Sequence, residues 1–156
     1  FEGGLTARLQ DVLGCFEAAG IKCGAVQDLM HAQWVKLVWN VPFNGLCIAE
    51  GGITTEDLLS CPEGEQQVRN LMREVVAGAA ALGRRIAPEI LDEQIRSTRE
   101  MGAYRPSSVI DYLQGRDVEV EAIWEEPLWR AEQEGAELPF WRSLLGRIRR
   151  RLEERG

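Results

Sequence analysis

Histidine and lysine are scarce in this sequence, and it has neither a C-x-x-C pair nor a long apolar run. One histidine, His31, and four cysteines at 15, 23, 47 and 61 supply no zinc-ligand spacing, which argues against a zinc site. The cysteines read instead as reduced, buried thiols of a cytoplasmic protein. No stretch approaches the roughly 18 apolar residues of a membrane span, and no signal-peptide pattern opens the chain, so no membrane partner is expected. No strand runs into a G-x-G-x-x-G turn, so the chain carries no dinucleotide-binding unit of its own. A net charge of -7 argues against general nucleic-acid binding, which needs cationic surface to displace phosphate counterions. The arginines at 147, 149, 150 and 151 suit a helix C-terminus, where the dipole favours cations. Methionine is absent from the first position: the chain opens on Phe1 with Gly3-Gly4 close behind, and reads as a piece of something longer.

What is present is helical periodicity. The 156 residues fit a single domain over 1–156. Leu5, Leu9, Val12, Leu13 and Phe16 predict a first helix closed by Gly20, with Ile21 to Val26 extended after it. A long apolar helix follows, holding Pro42, where a kink is expected because proline removes the bond to the Val38 carbonyl. Thr54 or Thr55 caps a short helix containing Glu56 to Leu59. Ser60-Cys61-Pro62-Glu63 reads as a capping box opening a helix through Val68, Leu71, Met72, Val75 and Ala79 to Gly83. Further helices are expected from Pro88 toward Met101-Gly102, after Pro106, and from Leu138-Pro139 onward. Val118 to Trp124 alternates like a strand, but it runs on into Leu128, Trp129 and Ala131, which favours a helix despite Pro127. The fold class is therefore all-α, a compact domain of about seven or eight helices by the spacing of its periodic segments.

Within the apolar helix, Lys36, Asn40 and Asn44 fall four residues apart. At about 100° per residue they form one slowly drifting stripe among Trp, Val, Leu and Phe. An ammonium followed by two carboxamides suits a small oxygen-rich anion, since Lys brings charge and donors and Asn both donates and accepts. The structural alternative is a core helix whose Lys reaches water while its Asn side chains bond neighbouring backbone. Only Lys22 and Lys36 are lysines among 18 basic residues, so an amine inside the most apolar segment hints at chemistry that Arg does not offer. Genome composition competes as an explanation.

Lys36-x-x-x-Asn40-x-x-x-Asn44, followed by Pro106-Ser107-Ser108, Gly115-Arg116 and Glu119-Val120-Glu121 in that order, resembles the C-terminal domain of ketopantoate reductases over nearly all of the chain. The resemblance implies a helical domain like that of 6-phosphogluconate dehydrogenase, closing over an N-terminal Rossmann domain that lies outside this chain. It implies NADPH-dependent reduction of a 2-oxo acid, with 2-dehydropantoate the namesake substrate. On it, Lys36 is the general acid, and Asn40 and Asn44 bond substrate oxygens. Ser107 rather than Ser108 meets the carboxylate, and Glu119 helps hold substrate and cofactor, with Glu121 its structural neighbour. Partial burial of Lys36 is expected to ease proton donation near neutrality.

Some features depart from the family. Pro42 lies between the two asparagines, whereas many members have proline at the place of Gly45. Thr54 stands where some members set a further Asn, and joins the substrate-binding set on that ground. Tyr104 stands three before Ser107, where some relatives have an Asn that contacts cofactor. Two other readings remain: a non-catalytic helical module that pairs with another protein or with a second copy as a homodimer, and a related hydroxy-acid or imine dehydrogenase domain.

Overall fold

The computed structural model describes residues 5–155, so Phe1 and the Gly3-Gly4 pair lie outside the described residues. The chain divides into two compact units, one up to Gln33 and one from Trp34 onward. In the first unit, helix α1 (Ala7–Ala18) is capped by Thr6, whose hydroxyl accepts from the Leu9 N–H. No residue of α1 is buried, so its apolar stripe adds nothing to a core of its own, which is why this unit separates. Gly20, at φ 73°, ends the helix as its position predicts, and 21–26 follow without regular structure. His31 donates its backbone N–H to the Asp28 carboxylate in the opening turn of the next helix.

The second unit is built around α2 (Leu29–Ala49), which continues as helix through Pro42. From Val41 to Ala49 every residue is buried, as expected of a helix that is apolar on all sides. Trp34 meets Trp141 edge to face at 6.2 Å, and Trp124 donates its indole N–H to the Val41 carbonyl at 3.1 Å. Gly45 lets these neighbours close in: a Cβ there would stand 2.7 Å from a Leu144 methyl and 2.8 Å from the Trp124 indole nitrogen. The other elements are α3 (Thr55–Leu59), α4 (Pro62–Ala81), α5 (Ile90–Glu100), α6 (Ser107–Leu113), α7 (Glu126–Gln133) and α8 (Pro139–Glu153). No strand occurs among the described residues, and no helix there is long and apolar enough to cross a membrane.

Two local expectations need correction. The cap of α4 is Cys61, whose sulfur accepts from the Gly64 N–H, while the Ser60 hydroxyl closes α3 by donating to the Asp57 carbonyl. The capping box belongs to α3 instead: Thr54 and Asp57 exchange side-chain and backbone bonds. Helix does replace the strand-like pattern after Val118, but a π-helical turn, Glu121–Glu125, precedes α7. Its wider ring puts Pro127 in the first turn of α7, where a missing N–H costs little.

Arginines of α8 tie the unit together. Arg151 donates to the Ala49 carbonyl at the end of α2, Arg147 pairs with Glu50, and Arg149 pairs with Glu125 at 2.8 Å. Arg155 donates to the carbonyls of Tyr112 and Arg116. The basic tail therefore closes helix ends and loops within the fold.

Candidate functional site

Exposure falls along the stripe: Lys36 is exposed, Asn40 half-buried, and Asn44 only 2% exposed. Eight residues of helix make this descent about 12 Å long. The expected partial burial of Lys36 is therefore not met, because α2 sinks into the core only beyond it. Asn44 behaves as the structural alternative foresees. Its carboxamide oxygen accepts from the Ser108 N–H at 3.2 Å, bridging α2 to the start of α6. The residue before α6 is Pro106, which has no side-chain cap to offer, so the helix borrows one.

That bond sets Ser107, exposed and next in sequence to buried Ser108, at the deep end of the stripe. Glu119 is exposed and lines an open depression with Val118, Val120, Glu121 and Glu125. Its segment is held to α2 by the Trp124 bond to Val41, the residue after Asn40. No hydrogen bond or ion pair among the described residues joins Glu119 to Lys36. Thr54 is buried, with its hydroxyl donating to Asp57 at 2.6 Å, so its polar atom is engaged in the cap of α3. The same bond, then the backbone bond from Thr54, holds the Asp57 carboxyl below the usual range. Burial pushes the Cys47 thiol up to about 12, which leaves no thiolate nucleophile on α2 at neutral pH.

The roles of Trp39, beside the stripe, and of Glu74, at the start of α8, escape sequence reasoning. Trp39 donates its indole N–H to buried Thr98 at 2.8 Å, and its ring stands 6.3 Å from that of Tyr104. Glu74, 8% exposed, accepts from the N–H groups of Phe140 and Trp141 at 2.9 and 2.6 Å and so caps α8. Burial raises the Glu74 carboxyl above its ordinary range, and the two N–H bonds offset part of that. The one signal for it in the sequence is an acidic residue on the rim of an apolar helix face, one turn before Gly78.

The structure is thus an all-helical unit whose central helix carries Lys36, Asn40 and Asn44 toward the Ser-bearing start of α6. Residues 28–152 match the family described as ketopantoate reductase PanE/ApbA C terminal, and the chain belongs to that family. A 2-dehydropantoate 2-reductase of Nostoc sp. is 39% identical over 136 residues, which cover 87% of this chain and 42% of that protein. The crystal structure of 2-dehydropantoate 2-reductase from Geobacter metallireducens is similar at TM-score 0.91 and 36% identity, over 96% of this chain and 50% of that one. The enzyme of that name from Methylococcus capsulatus gives TM-score 0.90 and 33% identity, over 98% and 48%. The chain thus spans about half the length of the relatives it matches.

Proposed function

We propose that this chain is the substrate-binding and proton-donating half of an NADPH-dependent reductase of 2-oxo acids, with 2-dehydropantoate the first candidate. The observation that carries this reading is the stripe on α2, descending from an exposed ammonium to a buried carboxamide that caps the helix start bearing Ser107. A Rossmann domain preceding this one would hold the nucleotide, in keeping with the length of the relatives and the match beginning at residue 28.

When bound, a reduced nicotinamide would provide the hydride for the oxo carbon. The protein's own residues manage the oxygen. As charge grows there, the Lys36 ammonium stabilises it and gives up a proton, leaving a hydroxyl on substrate and a neutral amine on the protein. Asn40, half-buried one turn on, orients the oxo and carboxylate oxygens with its amide. The exposed Ser107 hydroxyl, with the Ser107 N–H in the first turn of α6, suits the carboxylate. Glu119, an exposed carboxylate in an open depression, accepts from hydroxyls and so fits either the substrate's own hydroxyl or a ribose.

Replacing Lys36 by Ala in the two-domain protein tests the assignment. Turnover with NADPH and 2-dehydropantoate is expected to fall about 100-fold or more. Turnover within a few-fold of the parent would mean that another group donates the proton.

A further inference from the structure

An aromatic pair stands beside the polar stripe and has no part in the proton transfer. Trp39 lies three residues after Lys36 and four before Phe43, so it borders the stripe and stacks on Phe43 at 5.1 Å. Its indole N–H is committed to Thr98, which is 1% exposed and passes its own hydroxyl to the Gln94 carbonyl at 2.7 Å. The ring is thereby fixed, with no donor left over. Tyr104 faces it from the segment that leads into Ser107, the centroids 6.3 Å apart and the planes at 56°.

Tyr104 is held by its backbone and open at its ring. The N–H and hydroxyl of Thr55 both donate to the Tyr104 carbonyl, at 2.9 and 3.2 Å, while its own N–H donates to Gly102. Tyr104 is 41% exposed, and its hydroxyl has no hydrogen-bond partner among the described residues. A locked indole and an open aromatic ring on a locked backbone make a preorganised surface, which costs little ordering when something packs on it. The pair joins the Lys36 side of the stripe to the Ser107 side.

We propose that the Trp39–Tyr104 pair is the wall on which the carbon side chain of the substrate packs, selecting 2-oxo acids with a bulky, branched substituent next to the oxo group. The proposal rests on the reading of Lys36, Asn40 and Ser107 as the ligands of the oxo and carboxylate oxygens. Those groups take up the polar head of a 2-oxo acid, and the tail is left to meet the neighbouring surface. Here that surface is aromatic, with the tyrosine hydroxyl at its rim able to meet a hydroxyl on the tail.

The test uses the two-domain protein, NADPH and acids that keep one head and grow the tail: pyruvate, 2-oxobutyrate, 2-oxoisovalerate and 2-dehydropantoate. Tyr104→Ala is expected to lower kcat/KM for the two branched acids about tenfold relative to the unbranched two. Tyr104→Phe should retain the preference for 2-oxoisovalerate, and the KM for NADPH should stay within about twofold in both variants. An active parent whose tail preference is unmoved by Tyr104→Ala overturns the wall alone. A shift in the NADPH KM in place of the tail preference also overturns it, and assigns Tyr104 to the nucleotide. A parent that reduces none of the acids overturns the underlying function and the wall with it. Circular dichroism of Tyr104→Ala guards against misfolding, and Tyr104→Leu, which keeps an apolar tail, supplies an intermediate preference if the wall is real.

Discussion

Helices α6 and α8 begin without a side-chain cap of their own, and each borrows one from a helix far away in sequence. At the start of α8, Glu74 of α4 brings a carboxylate to two N–H groups, at 2.9 and 2.6 Å. At the start of α6, Asn44 of α2 brings a neutral carboxamide to one N–H, at 3.2 Å. The first cap sits on the core residue Trp141, and the second lies beside the exposed Ser107. A charge at a helix N-terminus binds more strongly, and using both oxygens closes that end to any other anion. A single neutral acceptor holds the Ser108 N–H, the Pro106 carbonyl takes those of Val109 and Ile110, and the Ser107 N–H is left without an acceptor among the described residues. The scaffold end is therefore saturated, and the end proposed to meet substrate is only partly so.

The comparison is broken most severely by Glu74→Ala, which leaves the buried Trp141 N–H and the part-buried Phe140 N–H without an acceptor. It should cost about 3 kcal/mol of stability in urea unfolding. Glu74→Gln keeps one acceptor and should recover part of that loss. Asn44→Ala removes one bond and should cost about 2 kcal/mol, with a fall in the activity of the two-domain protein beyond what its unfolded fraction explains. If its activity loss matched its unfolded fraction, Asn44 would be a cap and nothing more. Lys36→Ala is the control at the exposed end: its effect on unfolding should stay within about 0.5 kcal/mol, although turnover falls. An unfolding cost near that of Asn44→Ala would show that Lys36 is part of the scaffold.

The smallest effect is in pH dependence. Burial raises the Glu74 carboxyl, so the native state holds that proton more tightly than the unfolded chain does. The stability tied to it is complete below the ordinary carboxylate range and is lost as pH rises through the raised value. Glu65 works the other way. Hydrogen bonds from Arg69 and Arg99 lower its carboxyl, so its contribution is present above the ordinary range and lost as pH falls through the lowered value. Subtracting the stability profile of Glu74→Gln from that of the parent should isolate the first slope, whereas Asn44→Ala should leave it in place.

Much of the fold is legible from periodicity, because α4, α5 and α8 each bury one clear stripe. The borrowed caps are not, since each joins residues more than sixty positions apart and nothing local marks the partner. The start of α4 misleads for a related reason: Ser60-x-x-Glu63 has the spacing of a capping box, but the Ser60 hydroxyl is already used by the end of α3. At the site, the spacing of Lys36, Asn40 and Asn44 reveals a shared face. It does not reveal exposure, since Trp34, Val35, Leu37 and Val38 surround Lys36 with apolar residues although its own side chain is exposed. Asn44 shows that the structural and functional readings of a polar residue need not compete, because one amide oxygen binds backbone while the residue stays on the stripe.

The π turn at Glu121–Glu125 also acts as a phase adjuster. Its bonds span five residues, as in the Glu126 N–H to the Glu121 carbonyl, so it holds one residue more than an α-helical turn would. Removing one residue from it would let the segment wind as ordinary helix. Everything upstream would then rotate by about 100° relative to α7. Trp124 and Leu128 are locked in the core, so the rotation would fall on Glu119 and carry its carboxylate off its present face. The direction of that acidic group is thus written in the length of a turn as much as in the identity of the residue.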